Sequence, residues 1–278
     1  MILIADSGST KTDWAIIKNE STVEIVSTNG INPFFQTKEE IANEIETNLL
    51  PHLSTVEFDG IYFYGAGCTL EKAPIVKKAI LEHLQSGDVQ VNSDMLAAAH
   101  ALCGKEPGIV CIMGTGSNSC AYDGEKITKN VSPLGFILGD EGSGAVLGKL
   151  FVGSLLKNQL KDGLKEEFLK EYNLTVAEII DRVYRKPFPN RFLASLSPFI
   201  NKNINEPSVR SLVLNNFKAF FKRNVMQYKY KNQTVNFIGS IAYYYQDIID
   251  EAANQMGIKT GLTLKSPIKG LIKYHLSK

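Results

Sequence analysis

The chain has 278 residues, 44% of them apolar, and a formal net charge of +1. That length suits two domains of moderate size, and the near-neutral charge argues against a nucleic-acid partner held by phosphate neutralisation. The four cysteines, Cys68, Cys103, Cys111 and Cys120, show no C-x-x-C pair and no zinc-ligand spacing, so a reducing cytoplasm fits best.

The N-terminus opens directly on Ile2-Leu3-Ile4-Ala5, with no basic stretch or cleavage-site pattern of a signal peptide. No apolar run reaches the ~18 residues that a membrane span needs. Residues 2–5 predict a strand ending on Asp6. Residues 14–17 and 23–26 continue a meander whose first turn, Asp6-Ser7-Gly8-Ser9-Thr10-Lys11-Thr12, is small and polar. A helix is predicted over 37–50, with Thr37 as N-cap and Glu40 as its capping-box partner. Strand 61–64, the turn Gly65-Ala66-Gly67, a helix near 72–86 and strand 89–91 follow. Asp94 then precedes a helix near 95–103.

The breaker-rich 104–108 is a linker, and after it the opening pattern recurs. Strand 109–113 runs into Gly114-Thr115-Gly116-Ser117-Asn118, 119–122 extends again, Asp123-Gly124 marks a hairpin, and 126–131 returns. From 141 to about 230 the chain reads as mostly helical, punctuated by Pro187, Pro189, Pro198 and Pro207. Strand 234–238 enters Gly239-Ser240, 241–256 has a helical pattern, 257–264 is a last strand, and 267–276 a last helix with Pro near N1. Strands first and helices afterwards, twice over, predict two α/β lobes with a cleft between them.

A phosphate needs closely approaching backbone N–H groups and donor hydroxyls, which Gly, Ser and Thr supply. Gly8, Ser9, Thr10, Lys11 and Thr12 in the first turn, and Gly114, Thr115 and Gly116 in the second, have that chemistry. Lys11 could neutralise charge, and Asp6 could hold Mg²⁺ directly or through water. A polar hairpin tip would look the same. Gly239-Ser240 adds a strand-to-helix junction suited to a nucleotide's polar groups, and one of Tyr243, Tyr244 and Tyr245 could stack on adenine. No Walker A motif exists: Ser143 stands where Gly148-Lys149 would need a glycine, and Leu150 follows. No protein-kinase signature occurs either.

These turns resemble those of the actin-like ATPase and sugar-kinase superfamily, and within it the N-acetylglucosamine kinase and BadF/BadG-type group. The resemblance covers nearly the whole chain. It rests on Asp6-Ser-Gly-Ser-Thr-Lys-Thr, Asn32-Pro-Phe, Asp94, Gly114-Thr-Gly-Ser-Asn, Leu138-Gly-Asp-Glu-Gly-Ser143 and Gly239-Ser-Ile-Ala242. It implies two actin-like (ribonuclease H-like) lobes, over 1–105 and 106–278, with a helical insertion at 145–230 and a final helix 267–278 that packs on the first lobe. It further implies ATP gripped by the first turn and Thr115, with Gly239, Ser240 and Ala242, and Tyr243 beside them, at the adenosine.

Asp94 opens a helix, where an Asp is also a good N-cap, and the residues alone leave cap and catalytic base open. The resemblance implies the base. Asp140 and Glu141 suit a helix N-terminus electrostatically. The resemblance implies that Asp140 accepts hydrogen bonds from sugar hydroxyls, and Glu141 could join the metal's water shell. Asn32, Phe34, Ser117, Asn118 and Gly135 complete the implied sugar pocket, with Phe34 where animal enzymes carry a tryptophan. Pro33-Phe34-Phe35 reads equally as a loop anchored by aromatic packing. His52, His83, His100 and His275 are scattered without a triad-like partner. The implied activity is phosphoryl transfer from ATP to a hydroxyl of N-acetylglucosamine or a related amino sugar, with Mg²⁺. A BadF-type ATPase that activates a partner enzyme is the alternative, but it needs cluster-binding cysteines whose arrangement is missing. A non-catalytic sugar or nucleotide sensor is another. The sequence is silent on oligomeric state, and a homodimer is compatible with it.

Overall fold

The computed structural model describes residues 1–8, 11–19 and 22–277. The chain divides into two compact units, Met1–Lys105 with Pro267–Lys278, and Glu106–Ser266. Among the described residues no helix is long and apolar enough to cross a membrane.

The first unit is built on β1 (Ile2–Ser7), β2 (Lys11–Asn19), β3 (Thr22–Asn29), β4 (Gly60–Gly65) and β5 (Val89–Ser93). They form one sheet in the order β3-β2-β1-β4-β5, antiparallel across the meander and parallel from β1 through β4 to β5. The two parallel steps need crossovers, which α1 (Lys38–Glu44) and α2 (Ala73–His83) supply, while α3 (Asp94–Cys103) follows the last strand. Trp14, Ile41, Ile45, Phe63, Val76 and Ile80 pack together in one buried cluster. Ile4, Tyr62, Tyr64, Ala97 and Leu271 pack in another. Successive side chains of β1 and β4 divide between the two clusters, as strand alternation requires of a doubly covered sheet.

The second unit repeats the plan. Strands β6 (Gly108–Met113), β7 (Ser117–Tyr122), β8 (Ile127–Val131), β9 (Val235–Ile238) and β10 (Thr260–Leu264) lie in the order β10-β9-β6-β7-β8. The meander is again antiparallel and the later strands parallel. The recurrence legible at 109–131 therefore extends to the whole sheet. Between β8 and β9 lie α4 (Gly135–Leu138), α5 (Gly144–Leu156), α6 (Leu164–Glu171), α7 (Val176–Tyr184), α8 (Pro189–Ala194), α9 (Ser197–Lys202) and α10 (Pro207–Arg223). Phe151, Phe168, Phe199, Phe217, Phe220 and Phe221 make their shared core. Then come α11 (Ser240–Tyr244) and α12 (Gln246–Gln255), while α13 (Ile268–Leu276) packs with the first unit. There Gly270 lies against Ala101 of α3, where a Cβ would meet the Ala101 carbonyl oxygen at 2.6 Å.

Several boundaries differ from expectation. The helix expected over 37–50 keeps its Thr37–Glu40 capping box but is α-helical only to Glu44. It widens into a π turn over Ile45–Leu49 and tightens over Leu50–His52 at Pro51, whose missing N–H cannot continue the ladder. The helix expected over 241–256 breaks at Tyr245, whose ring is buried and whose hydroxyl donates to the Ser197 carbonyl at 2.6 Å. Pro267 is the N-cap of α13 rather than its N1 residue. Ser117 and Asn118, read as turn, are the first residues of β7.

Candidate active site

In the first unit the polar turn is a hairpin between β1 and β2, paired Ser7 to Thr12 and Asp6 to Asp13. The Gly8 N–H donates to the Lys11 carbonyl at 2.9 Å and closes it. Ser9 and Thr10 lie outside the described residues. Thr12 is fully buried, its hydroxyl 2.7 Å from Ser7 Oγ and donating to the Asn29 carbonyl at 3.0 Å, so this side chain frames the turn rather than facing a ligand. Ser7 Oγ also accepts the Ile31 N–H at 3.0 Å, which ties the turn to the loop carrying Asn32.

Two carboxylates converge on the electrostatics of that turn. Burial pushes the Asp6 carboxyl up to about 7, the negative charges of Asp13 and Asp94 push the same way, and Lys11 opposes them. Lys11 is paired with Asp13 at 2.8 Å, and Ser27 Oγ donates to Asp13 at 2.5 Å. Asp13 escaped the sequence reading, although strand alternation from Asp6 across a hairpin would have placed it there.

The capping role open to Asp94 belongs to Ser93. Its Oγ accepts the Leu96 N–H at 3.2 Å, and Asp94 is the first helical residue of α3. The Asp94 Oδ1 accepts the Met95 N–H at 2.8 Å. Burial raises the Asp94 carboxyl above its ordinary value, against the lowering effect of the Met95 and Asp94 N–H groups. Beside it the buried Cys68 thiol is pushed up to about 12 by burial and by the Asp94 charge.

Asn32 and Phe34 share one loop. The Asn32 N–H donates to Gln36 Oε1 at 2.7 Å, and its Oδ1 accepts the Phe34 N–H at 3.0 Å. Asn32 is buried, while Phe34 is exposed with the Lys72 ammonium 5.9 Å from its ring centre. The anchoring expected of Pro33-Phe34-Phe35 is therefore not aromatic packing, since Phe35 is exposed too; the side chains of Asn32 and Gln36 hold the loop.

In the second unit Gly114, Thr115 and Gly116 form the tip between β6 and β7. The Gly114 N–H closes the tip onto the Gly116 carbonyl at 2.9 Å. The Gly114 and Thr115 carbonyls accept the first two N–H groups of α5, from Gly144 at 2.8 Å and Ala145 at 3.0 Å, while Ser143 Oγ caps Val146 at 3.2 Å. This satisfies donors that a helix N-terminus otherwise leaves unpaired, and it fixes the tip against the Asp140–Ser143 loop. Asp140 adopts a left-handed conformation, φ 56°. Its carboxylate accepts the Ser117 N–H, and burial is the larger influence, pushing it up to about 6. Ser117 is buried, its hydroxyl donating to the Glu141 carbonyl at 2.7 Å. Asn118 Oδ1 accepts from the Ser119 N–H and from Asn130. Gly135 is exposed at the head of α4, and the Asp140 N–H donates to the nearby Pro133 carbonyl at 2.9 Å.

Glu141 is ion-paired with Arg223 of α10, a partner that residues 82 positions apart gave no local signal for. The backbone of Gly142 is held by Asn216 Oδ1 at 3.1 Å.

Gly239 lies at φ 120°, where a Cβ would collide with the Met113 carbonyl oxygen and come within 3.3 Å of the Gly114 nitrogen. The structure thus brings the second and third glycine turns together. Beyond Gly239, the exposed Ser240 lines a cavity of ≈ 570 Å³ with Ser197, Pro198, Asn201, Lys202 and Tyr244. Ala242, expected at the adenosine, is fully buried in the core instead, because α11 turns that face onto β6 and β9. Tyr243 is exposed and packs edge-on against Tyr244, whose hydroxyl accepts from Lys265 at 2.7 Å. Tyr244, not Tyr243, lines the cavity. Among the described residues no three His, Cys, Asp or Glu side chains cluster as a metal cage. The Asp6 carboxylate suits a hard cation that keeps most of its water.

Among solved structures, a Porphyromonas gingivalis protein provisionally described as an N-acetylglucosamine kinase is 51% identical, with a TM-score of 0.95, over 100% of this chain and 99% of that one. The chain belongs to the N-acetylglucosamine kinase family. A second protein of the same provisional description, from Chromobacterium violaceum, is 15% identical with a TM-score of 0.75, over 98% of each chain. A Streptomyces griseus ROK family glucokinase, solved with glucose and AMPPNP, is 12% identical with a TM-score of 0.55, over 98% of this chain and 97% of that one. At such identities the likeness is one of fold, that of the actin-like sugar kinases. No family profile and no curated relative matches the chain.

Proposed function

We propose that the chain transfers the γ-phosphoryl group of ATP to a hydroxyl of N-acetylglucosamine or a closely related amino sugar. The observation that carries this reading is Asp94, a carboxylate relieved of helix capping by Ser93 and raised by burial, next to the Asp6 turn. A raised carboxyl is a better proton acceptor for an alcohol than an ordinary one. Asp94 Oδ2 takes the proton of the attacking hydroxyl while Oδ1 stays on the Met95 N–H. The candidate sugar-orienting side chains are Asn32 and Phe34 in the first unit and Ser117, Asn118 and Asp140 in the second. Lys11, now on Asp13, is the mobile cation of the first turn, free to pair with phosphate oxygens instead.

The nucleotide has a matching cradle. Gly239 lets the third turn pack directly on the Met113–Gly114 backbone, Thr115 offers an exposed hydroxyl, and the cavity at Ser240 and Tyr244 has the volume of a small-ligand pocket. Mg²⁺ would be held by Asp6 with water and phosphate oxygens, and would supply neutralisation of the charge on the transferred group. The partner-activating alternative finds no support in the cysteines: Cys68, Cys111 and Cys120 are buried and Cys103 is half-buried.

An ADP-release assay over amino sugars, neutral hexoses and no sugar tests the proposal. Release stimulated by N-acetylglucosamine and abolished in Asp94→Asn is the expected result. A flat panel, or near-wild-type turnover by Asp94→Asn, overturns it.

A further inference from the structure

The turn after β4, Gly65-Ala66-Gly67-Cys68, touches each first-unit part of the candidate site. The Ala66 N–H donates to the Ser7 carbonyl at 3.0 Å, joining it to the phosphate turn. Cys68 lies in the field of Asp94. Gly67, at φ 79°, lies directly under the Asn32–Phe34 loop: a Cβ there would collide with Asn32 Oδ1 and lie 2.8 Å from Phe34 Cδ2 and 3.1 Å from Asn32 Cγ.

The turn cannot retreat from such a side chain. Besides the bond to Ser7, the Cys68 N–H donates to the Gly65 carbonyl at 3.3 Å and the Thr69 N–H to the Gly67 carbonyl at 2.9 Å. Behind it, a Cβ on Gly65 would come within 3.1 Å of the Cys68 sulfur, so that side is filled. Asn32 is itself fixed through Gln36 and the Phe34 N–H. Any atom added at position 67 must therefore displace the Asn32 amide and the Phe34 ring together. We propose that Gly67 is a specificity-determining positioning residue, whose missing side chain sets where Asn32 and Phe34 stand against the sugar. This rests on the sugar-kinase reading for the role of those two side chains. The three atoms nearest a Cβ at Gly67 all belong to Asn32 and Phe34, not to Asp6, Lys11 or Asp94, so Gly67 governs sugar affinity rather than turnover.

The test is steady-state kinetics of Gly67→Ala and Gly67→Asn with N-acetylglucosamine and ATP, alongside melting temperatures. Asn tolerates the left-handed conformation far better than Ala, so the pair separates the Cβ collision from backbone strain. Both variants should raise KM for N-acetylglucosamine about tenfold or more, with KM for ATP and saturated kcat within about twofold of wild type; a group that removes uniform binding behaves this way. The ratio of kcat/KM between N-acetylglucosamine and glucosamine should shift in both. An unchanged sugar KM overturns the inference, as does rescue by Asn alone, or a parallel fall of kcat, ATP affinity and melting temperature in both variants. Wild-type protein without sugar-stimulated ADP release would instead overturn the kinase reading on which the inference stands.

Discussion

Ser93 relieves Asp94 of the task its position suggests. With the Leu96 N–H already on Ser93 Oγ, the carboxylate of Asp94 places one oxygen on the Met95 N–H, and the proposed mechanism uses the other. The two residues should therefore separate by mutation. Ser93→Ala should cost about 1 kcal/mol of stability, the ordinary value of a lost cap, and leave turnover within a few-fold. Asp94→Asn, which has no charge to bury, should melt at or above the wild-type temperature at neutral pH and lower kcat by about 10² to 10⁴, the usual worth of a general base. Nucleotide binding, followed by fluorescence of a labelled ATP analogue, should survive in both. A turnover loss in Ser93→Ala as large as that in Asp94→Asn would mean that the cap positions the base.

The raised Asp6 carboxyl gives a pH signature. It titrates at about 7 in the folded chain against an ordinary 3.8. A carboxyl that binds its proton more tightly folded than unfolded contributes stability that is complete below the unfolded value and is lost as pH rises through the folded one. Asp140, raised to about 6, acts in the same direction over a lower window. Asp6→Asn has no charge to bury, so its melting temperature should overtake wild type as pH rises from about 5 to about 8. Parallel melting curves for the two proteins across that range would show that Asp6 does not carry the burial cost. Kinase activity of Asp6→Asn should fall even where its stability is higher, the trade expected of a functional carboxylate.

The legible part of this site was local. Short apolar runs ending in Gly/Ser/Thr turns marked β1 and β6, because both the strand period and the turn chemistry are written within a dozen residues. Asp94 was visible for the same reason, although the cap that its position suggested belongs to Ser93. What stayed hidden joins distant segments. Gly67 meets Asn32 only once β4 lies beside β1, and Arg223 reaches Glu141 from a helix 82 positions later. The burial of Ala242 was hidden by helix phase: the five residues of a short helix do not reveal which face turns inward.

Gly239 should be the least replaceable of the nucleotide-side residues. A Cβ at φ 120° is both strained and driven into the Met113 carbonyl. Gly239→Ala should lose at least about 2 kcal/mol, since strain and overpacking add, and should bind no ATP analogue. Ser240→Ala, which truncates an exposed hydroxyl beside the same cavity, should fold as wild type and raise only KM for ATP. Urea unfolding and analogue titration on both proteins distinguish the two cases. Equal losses in the pair would place the hydroxyl, not the backbone approach, at the centre of the nucleotide site.

Glu141 offered two roles, a share in the metal's water shell or a structural charge, and its geometry favours the second. Its carboxylate is only slightly exposed and is paired with Arg223, while its carbonyl accepts the Ser117 hydroxyl. The ion pair thus clamps the backbone between Asp140 and Gly142, the stretch that presents Asp140 in its left-handed conformation. Breaking the clamp from either side should loosen Asp140. Glu141→Gln and Arg223→Ala should each raise KM for N-acetylglucosamine by about threefold to tenfold, corresponding to the ~1 kcal/mol typical of a partly exposed pair in good geometry. The Mg²⁺ concentration that gives half-maximal activity should stay at the wild-type value in both, because neither side chain would touch the ion. A rise in that Mg²⁺ requirement in Glu141→Gln, without one in Arg223→Ala, would return Glu141 to the metal's water shell.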